Sequence, residues 1–387
     1  MMTNRERILA IMEGKRPDRI PWIPRMLLWW LARRNTGTLP EKYEGWTLRD
    51  IERDLGMGTA ARDGKVYTTR TKNVDYAVRL DGMSEIHEYV TPVGTVSAVY
   101  KRTVELDLAG IEPLAVVKPI KGPQDYDAMM YIVENTEYFP CYEEYEAYEK
   151  EIGDDGYPLV ATGGGPFHVY VDRIADCPFH TFLQHYTGYE KGYLDFVDYP
   201  DKVERLLDLI AQKHREELWP VIAHSPARLI LHGAHYDSQM TPPRQFKQHI
   251  TPYIQEMADV MHKHGKTLVH HADNDSRHIL GDLKEAGFDM VECFTTAPLV
   301  PCTLKEAREA WGNEMIIWGG IPSIIMEEES FSDEEFEAYM VDMFKTIAPG
   351  DAFILGVADN VTAQAKLERV TRVGEMIEEY GTIPIQA

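Results

Sequence analysis

Short apolar segments alternate with long amphipathic segments over the second half of the chain. The apolar segments predict buried strands at residues 158–161, 228–232, 267–271, 289–293, 314–318 and 352–355. The amphipathic segments predict helices at residues 200–219, 243–264, 275–286, 304–311 and 333–347. Strands that alternate with helices form parallel sheets with right-handed crossovers. Six such units, without the GxGxxG motif of an open dinucleotide-binding sheet, predict an α/β fold of the closed (β/α)8 TIM barrel type.

The first part of the chain follows a different pattern. Residues 3–13 predict a helix capped by Thr3 or Asn4, residues 19–24 a short strand, and residues 26–34 a second helix. Residues 64–106 alternate with a period of about two, which predicts a small antiparallel sheet inserted before the main repeat. Residues 123–156 predict acidic, tyrosine-rich helices. We therefore predict one domain over residues 1–387, in which 1–156 carry the β insertion and 157–387 the main repeat.

Composition narrows the classes of function. The formal net charge of −23, from 63 acidic and 40 basic residues, repels phosphate backbones and anionic lipid, so nucleic acid and membrane partners are not expected. The four cysteines are widely spaced and predict neither a disulfide framework nor a cysteine-rich zinc site. The charged N-terminal helix differs from a signal peptide, and no segment approaches the roughly 18 apolar residues of a membrane span. A cytoplasmic location is expected.

In a (β/α)8 barrel the functional residues lie at the carboxyl ends of the strands. His, Asp, Glu or Cys follow four of the five later predicted strands, within residues 232–237, 270–275, 292–293 and 356–360. His271 and Asp273 share one face because side chains alternate along a strand. Together with Glu292, and with Asp237 or Asp359, they predict a site for a divalent metal. The same set suits general acid and base catalysis, with Glu292, His271 and Asp237 as the candidates.

Some of these residues also have a purely structural explanation. His270 or His271 could be a hydrogen-bonded histidine of the core. Asp273 and Asp275 could cap the helix that follows them. Cys293 could be a small buried apolar residue. The sequence alone leaves these alternatives open.

Aromatic and glycine residues near the strand ends extend the candidate site. Trp29 and Trp30 are adjacent on a predicted helix, so they cannot both face the same core, and one of them could line a substrate pocket. Tyr236 precedes Asp237 at a strand end and is a further candidate for substrate binding. The glycines at 163–165, which follow a strand, could approach a ligand or only turn the chain.

Several motifs resemble those of the uroporphyrinogen decarboxylase superfamily, in the same order along nearly the whole chain. They are Arg5-Glu-Arg-Ile-Leu9, Pro17-Asp-Arg-Ile-Pro21, Thr91-Pro-Val-Gly94, Gly165-Pro-Phe167, residues 194–200, residues 264–274, Gly319-Gly-Ile321 and residues 354–360. The resemblance implies a (β/α)8 barrel, in agreement with the pattern of strands and helices. That superfamily includes decarboxylases and cobalamin-dependent methyltransferases.

The resemblance to each branch is incomplete. Decarboxylases carry an arginine-rich segment after the first strand that binds porphyrinogen carboxylates, and the corresponding stretch here offers only Arg25. A tetracarboxylate needs several fixed cations, so the resemblance implies a smaller substrate, with Arg25, Trp29 and Trp30 as binding candidates. The methyltransferase branch holds zinc with a His-x-Cys motif and a later Cys. The matching positions here are His271-x-Asp273 and residues 356–359, and both cysteines are missing.

Oxygen ligands make zinc a stronger Lewis acid than thiolates do, which suits activation of an ether oxygen as a leaving group. The resemblance and this ligand set together favour a cobalamin (corrinoid)-dependent methyltransferase that moves a methyl group from a small methyl ether, for example a methoxylated aromatic substrate, to Co(I) of a corrinoid protein. Zinc and the corrinoid of the partner protein are the expected cofactors, and the family is compatible with a homodimer. The alternatives are a methyltransferase from methylcobalamin to a thiol or folate, a uroporphyrinogen decarboxylase-type lyase, and a non-catalytic corrinoid- or tetrapyrrole-binding protein.

Overall fold

The computed structural model describes residues 2–162 and 176–386. Its strands are β1 (Tyr67–Thr71), β2 (Asp75–Asp81), β3 (Ser84–Thr91), β4 (Gly94–Lys101), β5 (Leu114–Val117), β6 (Thr136–Pro140), β7 (Leu159–Ala161), β8 (Leu229–Ala234), β9 (Thr267–His271), β10 (Met290–Phe294), β11 (Ile316–Pro322) and β12 (Phe353–Ala358). Its helices are α1 (Asn4–Met12), α2 (Leu27–Thr36), α3 (Leu48–Asp54), α4 (Val104–Ala109), α5 (Asp125–Asn135), α6 (Tyr142–Ile152), α7 (Pro178–His180), α8 (Tyr189–Asp198), α9 (Pro200–Lys213), α10 (Trp219–Ala223), α11 (Pro243–Gln245), α12 (Thr251–Lys263), α13 (Leu280–Glu285), α14 (Leu304–Trp311), α15 (Asp333–Ile347) and α16 (Leu367–Tyr380). The predicted glycine turn at 163–165 and the Gly165-Pro-Phe167 motif lie outside the described residues.

Six parallel strands form the main sheet, in the order β7 to β12 along the chain. Two short extended segments, around Trp22 and around residues 58–64, join its outer edges. The joining backbone hydrogen bonds run from Ile23 to Leu355, from Leu355 to Pro21, from Gly58 to Trp22 and from Leu159 to Ala61. The sheet is therefore a closed ring of eight strands, and the predicted (β/α)8 barrel is confirmed.

Alternation along the strands separates two apolar layers. The residues that point into the ring include Ile23, Leu159, Leu229, Leu231, Val269, Met290, Ile316, Trp318 and Ile354. Ile8 and Ile11 of α1 join this inner layer, and a capping box between Thr3 and Glu6 starts that helix. The opposite faces of the strands pack against the surrounding helices. Because the inner layer is filled with apolar side chains, polar chemistry is confined to the ends of the strands.

The β insertion differs in detail from its prediction. A four-stranded antiparallel sheet contains β2, β3, β4 and β5, so it extends beyond residue 106. The first predicted strand, β1, lies outside this sheet and pairs with β6, with Tyr67 opposite Pro140. That partner lies inside residues 123–156, which were predicted to be helical throughout. A period of two identifies a strand but not its partner, and β6 is too short between two helices to show a periodicity of its own.

The predicted helices of the main repeat are confirmed with interruptions. Residues 200–219 and 243–264 are helical, with π-helical turns at His214–Leu218 and Phe246–Ile250. The predicted helix at 275–286 begins later, with α13, after a 3-10 turn at Arg277–Ile279. In the described ranges, no helix combines the length and the apolar character that a membrane crossing requires.

Gly319 illustrates how tightly the strands of the ring approach each other. Its φ is 139°, and a Cβ atom there would lie 2.5 Å from the backbone nitrogen of Phe294 on the neighbouring strand. We expect Gly319→Ala to lower the free energy of unfolding by about 3 kcal/mol, because backbone strain and a clash with main chain add together. Urea unfolding measures this loss.

Gly37→Ala is the matched control for Gly319→Ala. Gly37 also has a positive φ, of 68°, in the left-handed α conformation, but no atom lies within 4 Å of its Cβ position. This variant should lose only about 1 kcal/mol, the cost of the left-handed conformation alone. Equal losses for the two variants would contradict the close approach of β10 and β11.

Candidate active site

Eight side chains converge at the carboxyl ends of the barrel strands, and we call them the mouth cluster. The cluster consists of Arg25, Arg62, His235, His271, Asp273, Glu292, Cys293 and Asp359. They lie in or directly after six parts of the ring: the two extended segments, β8, β9, β10 and β12. Residues that are far apart in the sequence therefore meet where a (β/α)8 barrel places its function.

His271 stands at the centre of the mouth cluster. It follows Val269 by two positions on β9, so it points into the ring as Val269 does. Its Nδ1 lies 2.7 Å from Oε2 of Glu292, and both side chains are fully buried. Nη1 of Arg62 lies 3.2 Å from the other carboxylate oxygen, Oε1, of Glu292. Glu292 therefore fixes the orientation of the imidazole ring and is itself held by a cation.

The second ring nitrogen of His271 faces two further carboxylates. Nε2 lies 3.5 Å from Oδ2 of Asp273 and 3.5 Å from Oδ1 of Asp359. This buried nitrogen makes no well-directed hydrogen bond to any described residue. Asp273 accepts a hydrogen bond of 2.8 Å from Nδ1 of His235. Asp273 thus belongs to the mouth cluster, whereas Asp275 accepts the backbone N–H of Arg277 and caps the following turn.

Arginines and a cysteine complete the mouth cluster. Arg25 forms an ion pair with Asp359, and Nη1 of Arg62 lies 3.9 Å from the same carboxylate. Sγ of Cys293 lies 3.0 Å from Oε1 of Glu292 and 3.7 Å from Nη1 of Arg25. Cys293 is buried, as expected for a small residue of the core, but its neighbours are charged groups rather than apolar side chains.

The pKa values of the cluster describe a charged network. Burial opposes protonation of His271, but the nearby Asp273, and to a lesser degree Glu292, raise the pKa of the imidazole to about 9. Burial also opposes ionisation of Glu292, yet Arg62 and His271 hold the pKa of that carboxyl well below its usual range. The pKa of Asp273 is lowered in the same way, against burial, chiefly by His271. At neutral pH the imidazole is therefore cationic between ionised carboxylates.

His270 settles the question of which histidine faces inward. Its Nδ1 lies 3.0 Å from the carbonyl oxygen of Gly233, and its ring stacks on Tyr236 with centroids 4.8 Å apart. Burial, with a further contribution from His271, lowers the pKa of His270 to about 3, so it is neutral. His270 is a hydrogen-bonded histidine of the core, and His271 is the residue of the mouth.

The donor set at Nε2 of His271 fits a divalent metal. In a tetrahedral zinc site with bonds of about 2.0 to 2.1 Å, the ligand atoms stand about 3.4 Å apart. Nε2 of His271 lies 3.5 Å from Asp273 and 3.5 Å from Asp359, which is close to that spacing. Among the described residues, two sets of three have ligand atoms that all lie within 4.8 Å of one another: His235, His271 and Asp273, and His271, Glu292 and Cys293. The bond from Nδ1 of His271 to Glu292 is the outer-shell contact that usually orients a zinc-bound histidine. Arg25 competes with a metal for the same oxygen of Asp359.

Some predicted site residues lie away from the mouth cluster in the described structure. Oδ1 of Asp237 accepts the backbone N–H groups of Gln239 and Met240, as in a local turn. Trp29 is buried and donates from Nε1 to the carbonyl oxygen of Ala365. Trp30 is partly buried and stacks against Arg34. Tyr236 is buried behind the mouth against His270. Of the predicted substrate-binding residues, Arg25 alone is placed in the cluster.

Sequence reasoning missed Arg62 and His235 as members of the cluster. Arg62 follows the second strand of the ring, which contains Gly58 and Ala61 and lacks the apolar run that marks the other strands. His235 lies in the segment that follows the predicted strand at residues 228–232, but nothing in the sequence shows that its side chain turns towards Asp273. It does so with a φ of 60°, directly after Gly233 at 77°. A left-handed bend is not visible in a hydrophobic pattern.

Comparisons with known proteins agree with this architecture. The fold is similar to that of a methyltransferase from Methanosarcina mazei over 98% of this chain and 99% of the other, with a TM-score of 0.56 and 13% sequence identity. A Rubisco from Pyrococcus horikoshii OT3 matches over 64% of this chain and 48% of its own, at 11% identity and with a TM-score of only 0.26. A comparison with curated proteins gives no match. Residues 104–380, more than half of the chain, match the uroporphyrinogen decarboxylase (URO-D) family, to which the protein therefore belongs.

Proposed function

We propose that the protein is a methyltransferase, which moves a methyl group from a small methyl ether, such as a methoxylated aromatic compound, to Co(I) of a corrinoid protein. The observation that carries the proposal is the buried Nε2 of His271, which lies 3.5 Å from each of two carboxylates and makes no well-directed hydrogen bond to a described residue. The similarity of the fold to that of the Methanosarcina mazei methyltransferase supports it. So does the pairing of Arg25 and Arg62 with carboxylates, which leaves no free arginine among the described residues of the mouth cluster.

Zinc would be held by His271, Asp273 and Asp359, and when bound it would supply a Lewis acid for the ether oxygen. The residues of the chain perform the other tasks. Glu292 fixes the tautomer and the direction of the His271 ring through Nδ1. His235 does the same for Asp273 through a hydrogen bond of 2.8 Å. The site thus presents a fixed set of groups to a substrate that enters from the mouth of the barrel.

The reaction itself needs positioning and stabilisation of a leaving group. The electron pair of Co(I) forms the bond to the methyl carbon, the carbon–oxygen bond breaks, and its electron pair stays on the departing oxygen. Groups fixed before the reaction stabilise such developing charge at little cost in reorganisation. Arg25, with about a fifth of its side chain exposed, is placed to contact the substrate at the mouth. Proton supply to the departing oxygen follows from the cationic His271 when no metal is bound.

A direct test uses the zinc-loaded protein, a reduced corrinoid and a series of methoxylated aromatic compounds. The Co(I) absorbance should fall as methylcobalamin forms, and the phenol that lacks the methyl group should give no change. Asp237→Asn should retain this activity, because Asp237 is engaged in a local turn. If no methylcobalamin forms from any methyl ether, amine or thioether, the proposal is wrong.

The same assay separates the alternatives. Consumption of methylcobalamin with a thiol or a folate would indicate the reverse direction of transfer. Release of carbon dioxide from a porphyrinogen would indicate a lyase. Tight corrinoid binding without turnover, unchanged in His271→Ala, would indicate a binding protein.

A further inference from the structure

Two histidines lie beside the mouth cluster on a helix whose winding changes between them. Helix α7 ends at His180 and continues into a π-helical segment at Thr181–Thr187, which contains His185. π-Helical hydrogen bonds join residues five positions apart, so the segment brings these two histidines to one side. Their rings are perpendicular, with centroids 6.3 Å apart. In an α-helix of about 3.6 residues per turn, side chains at this spacing would point in different directions.

The ring of His180 is fixed on one side and open on the other. Its Nδ1 donates a hydrogen bond of 3.1 Å to Oδ2 of Asp176. Tyr236, which directly follows His235 of the mouth cluster, packs edge-on against the ring with centroids 5.0 Å apart. The second nitrogen, Nε2, is buried and bonds no described residue. Because buried polar groups nearly always have a partner, Nε2 indicates one outside these residues, such as water or a ligand.

A lysine approaches the same place from the insertion. The backbone N–H of Ile120 donates to the carbonyl oxygen of Tyr186, at 2.9 Å, and holds the loop after β5 against the π-helical segment. Lys118 in this loop is partly buried. Burial lowers the pKa of its amine, and no described carboxylate opposes that effect. Burying an ammonium group without a counter-ion is costly, so an unpaired lysine is unusual in a chain with 63 acidic and 40 basic residues.

His185 is close to both this lysine and the mouth cluster. Burial lowers the pKa of His185 well below its usual value. The nearby charges of His180, Lys118 and His235 lower it further. Asp176 acts in the opposite direction, but its carboxylate is engaged with His180. The group therefore has an excess of positive charge at the border of the mouth cluster.

We propose that Lys118, His185 and Nε2 of His180 form a subsite for a carboxylate of the substrate. The inference rests on the proposed function and narrows its substrate to a methyl ether that also carries a carboxylate, such as a methoxybenzoate. The ether oxygen would lie at the mouth cluster, and the aromatic ring would extend past His235 to the subsite. The bound anion would be the counter-ion that Lys118 lacks, and hydrogen bonds between charged groups are about twice as strong as neutral ones. In its cationic form His180 donates from both nitrogens, to Asp176 and to the substrate.

Calorimetric titration of the zinc-loaded protein without a corrinoid protein separates binding from methyl transfer. The probes are para- and meta-methoxybenzoate, and the corresponding methoxybenzamides are neutral analogues of nearly the same shape. We expect the better benzoate to bind about tenfold to a hundredfold more tightly than its amide. Lys118→Met should remove most of this preference and leave the affinity for the amide unchanged. Lys118→Arg, which keeps the charge, should retain most of it.

Lys121→Met is the matched control. Lys121 belongs to the same loop but is exposed, and its Nζ donates to Oγ and to the carbonyl oxygen of Ser97. This variant should keep the preference for the benzoate. Equal affinities for benzoate and amide in the wild type, or a preference that survives Lys118→Met because the metal binds the carboxylate, would overturn the subsite. So would an equal loss in Lys121→Met.

The same probes distinguish failure of the subsite from failure of the proposed function. A preference for the benzoate that depends on Lys118, without methyl transfer to Co(I), would support the subsite and contradict the proposed function. Methyl transfer from the amide with the same kcat/KM as from the benzoate would support the proposed function and overturn the subsite.

Discussion

His271→Ala should abolish zinc binding and methyl transfer together. Loss of an outer-shell partner alone lowers metal affinity by about tenfold to a hundredfold, and His271 is the nitrogen ligand of the proposed set. We expect zinc affinity to fall by more than about a hundredfold, measured by competition with a chromophoric chelator. His270→Gln is the matched control, since His270 is equally buried but lies outside the cluster. It should retain zinc even if it unfolds more readily.

The proton on His271 makes zinc binding depend on pH. The pKa of the imidazole is raised to about 9, whereas a metal requires the neutral ring. The apparent affinity of the wild type should therefore rise about tenfold per pH unit up to about pH 9 and then level off. The carboxylates add nothing to this slope, because the pKa values of Asp273 and Asp359 are lowered. A wild-type affinity that is flat between pH 6 and 9 would exclude His271 as a ligand.

Glu292→Gln should destabilise the protein as well as the metal site. Glu292 is fully buried and balances Arg62 and His271. Removing one partner of a buried ion pair leaves a buried charge and costs about 3 to 5 kcal/mol. Because the pKa of Glu292 is lowered from 4.5, its stabilising contribution is present above that pH and is lost as the pH falls. The difference between wild type and variant, measured by urea unfolding, should therefore shrink in acid.

The double variant Arg62→Met, Glu292→Gln is the control for this interpretation. It removes both charges, so its loss of stability should be smaller than the sum of the two single losses. Zinc affinity should still fall by about tenfold to a hundredfold in both variants, because the contact of Glu292 with Nδ1 of His271 is changed in each. Additive losses of stability would show that Arg62 and Glu292 do not interact.

The hydrophobic pattern was sufficient to predict the barrel but not the partners at its mouth. Each long apolar strand from β7 to β12 was identified, because strands buried on both faces read as continuous apolar runs. The first two strands of the ring are short and contain Pro21, Pro24 and Gly58, so their closing role shows only in the backbone hydrogen bonds. His271, Asp273, Glu292 and Asp359 were predicted together because strand ends converge. The pairing of Arg25 with Asp359 depends on side-chain directions that no local pattern encodes.

The ring also constrains how the chain can be divided. Its first two strands, and with them Arg25 and Arg62, precede the family match, which begins at residue 104. A fragment that starts there would keep the six strands of the main sheet. The edges of β7 and β12, which are apolar, would then be exposed to solvent. Such a fragment would also leave Glu292 and Asp359 without Arg62 and Arg25, the arginines that pair with them. The amino-terminal quarter is thus as much a part of the barrel and its mouth cluster as the repeats that match the family.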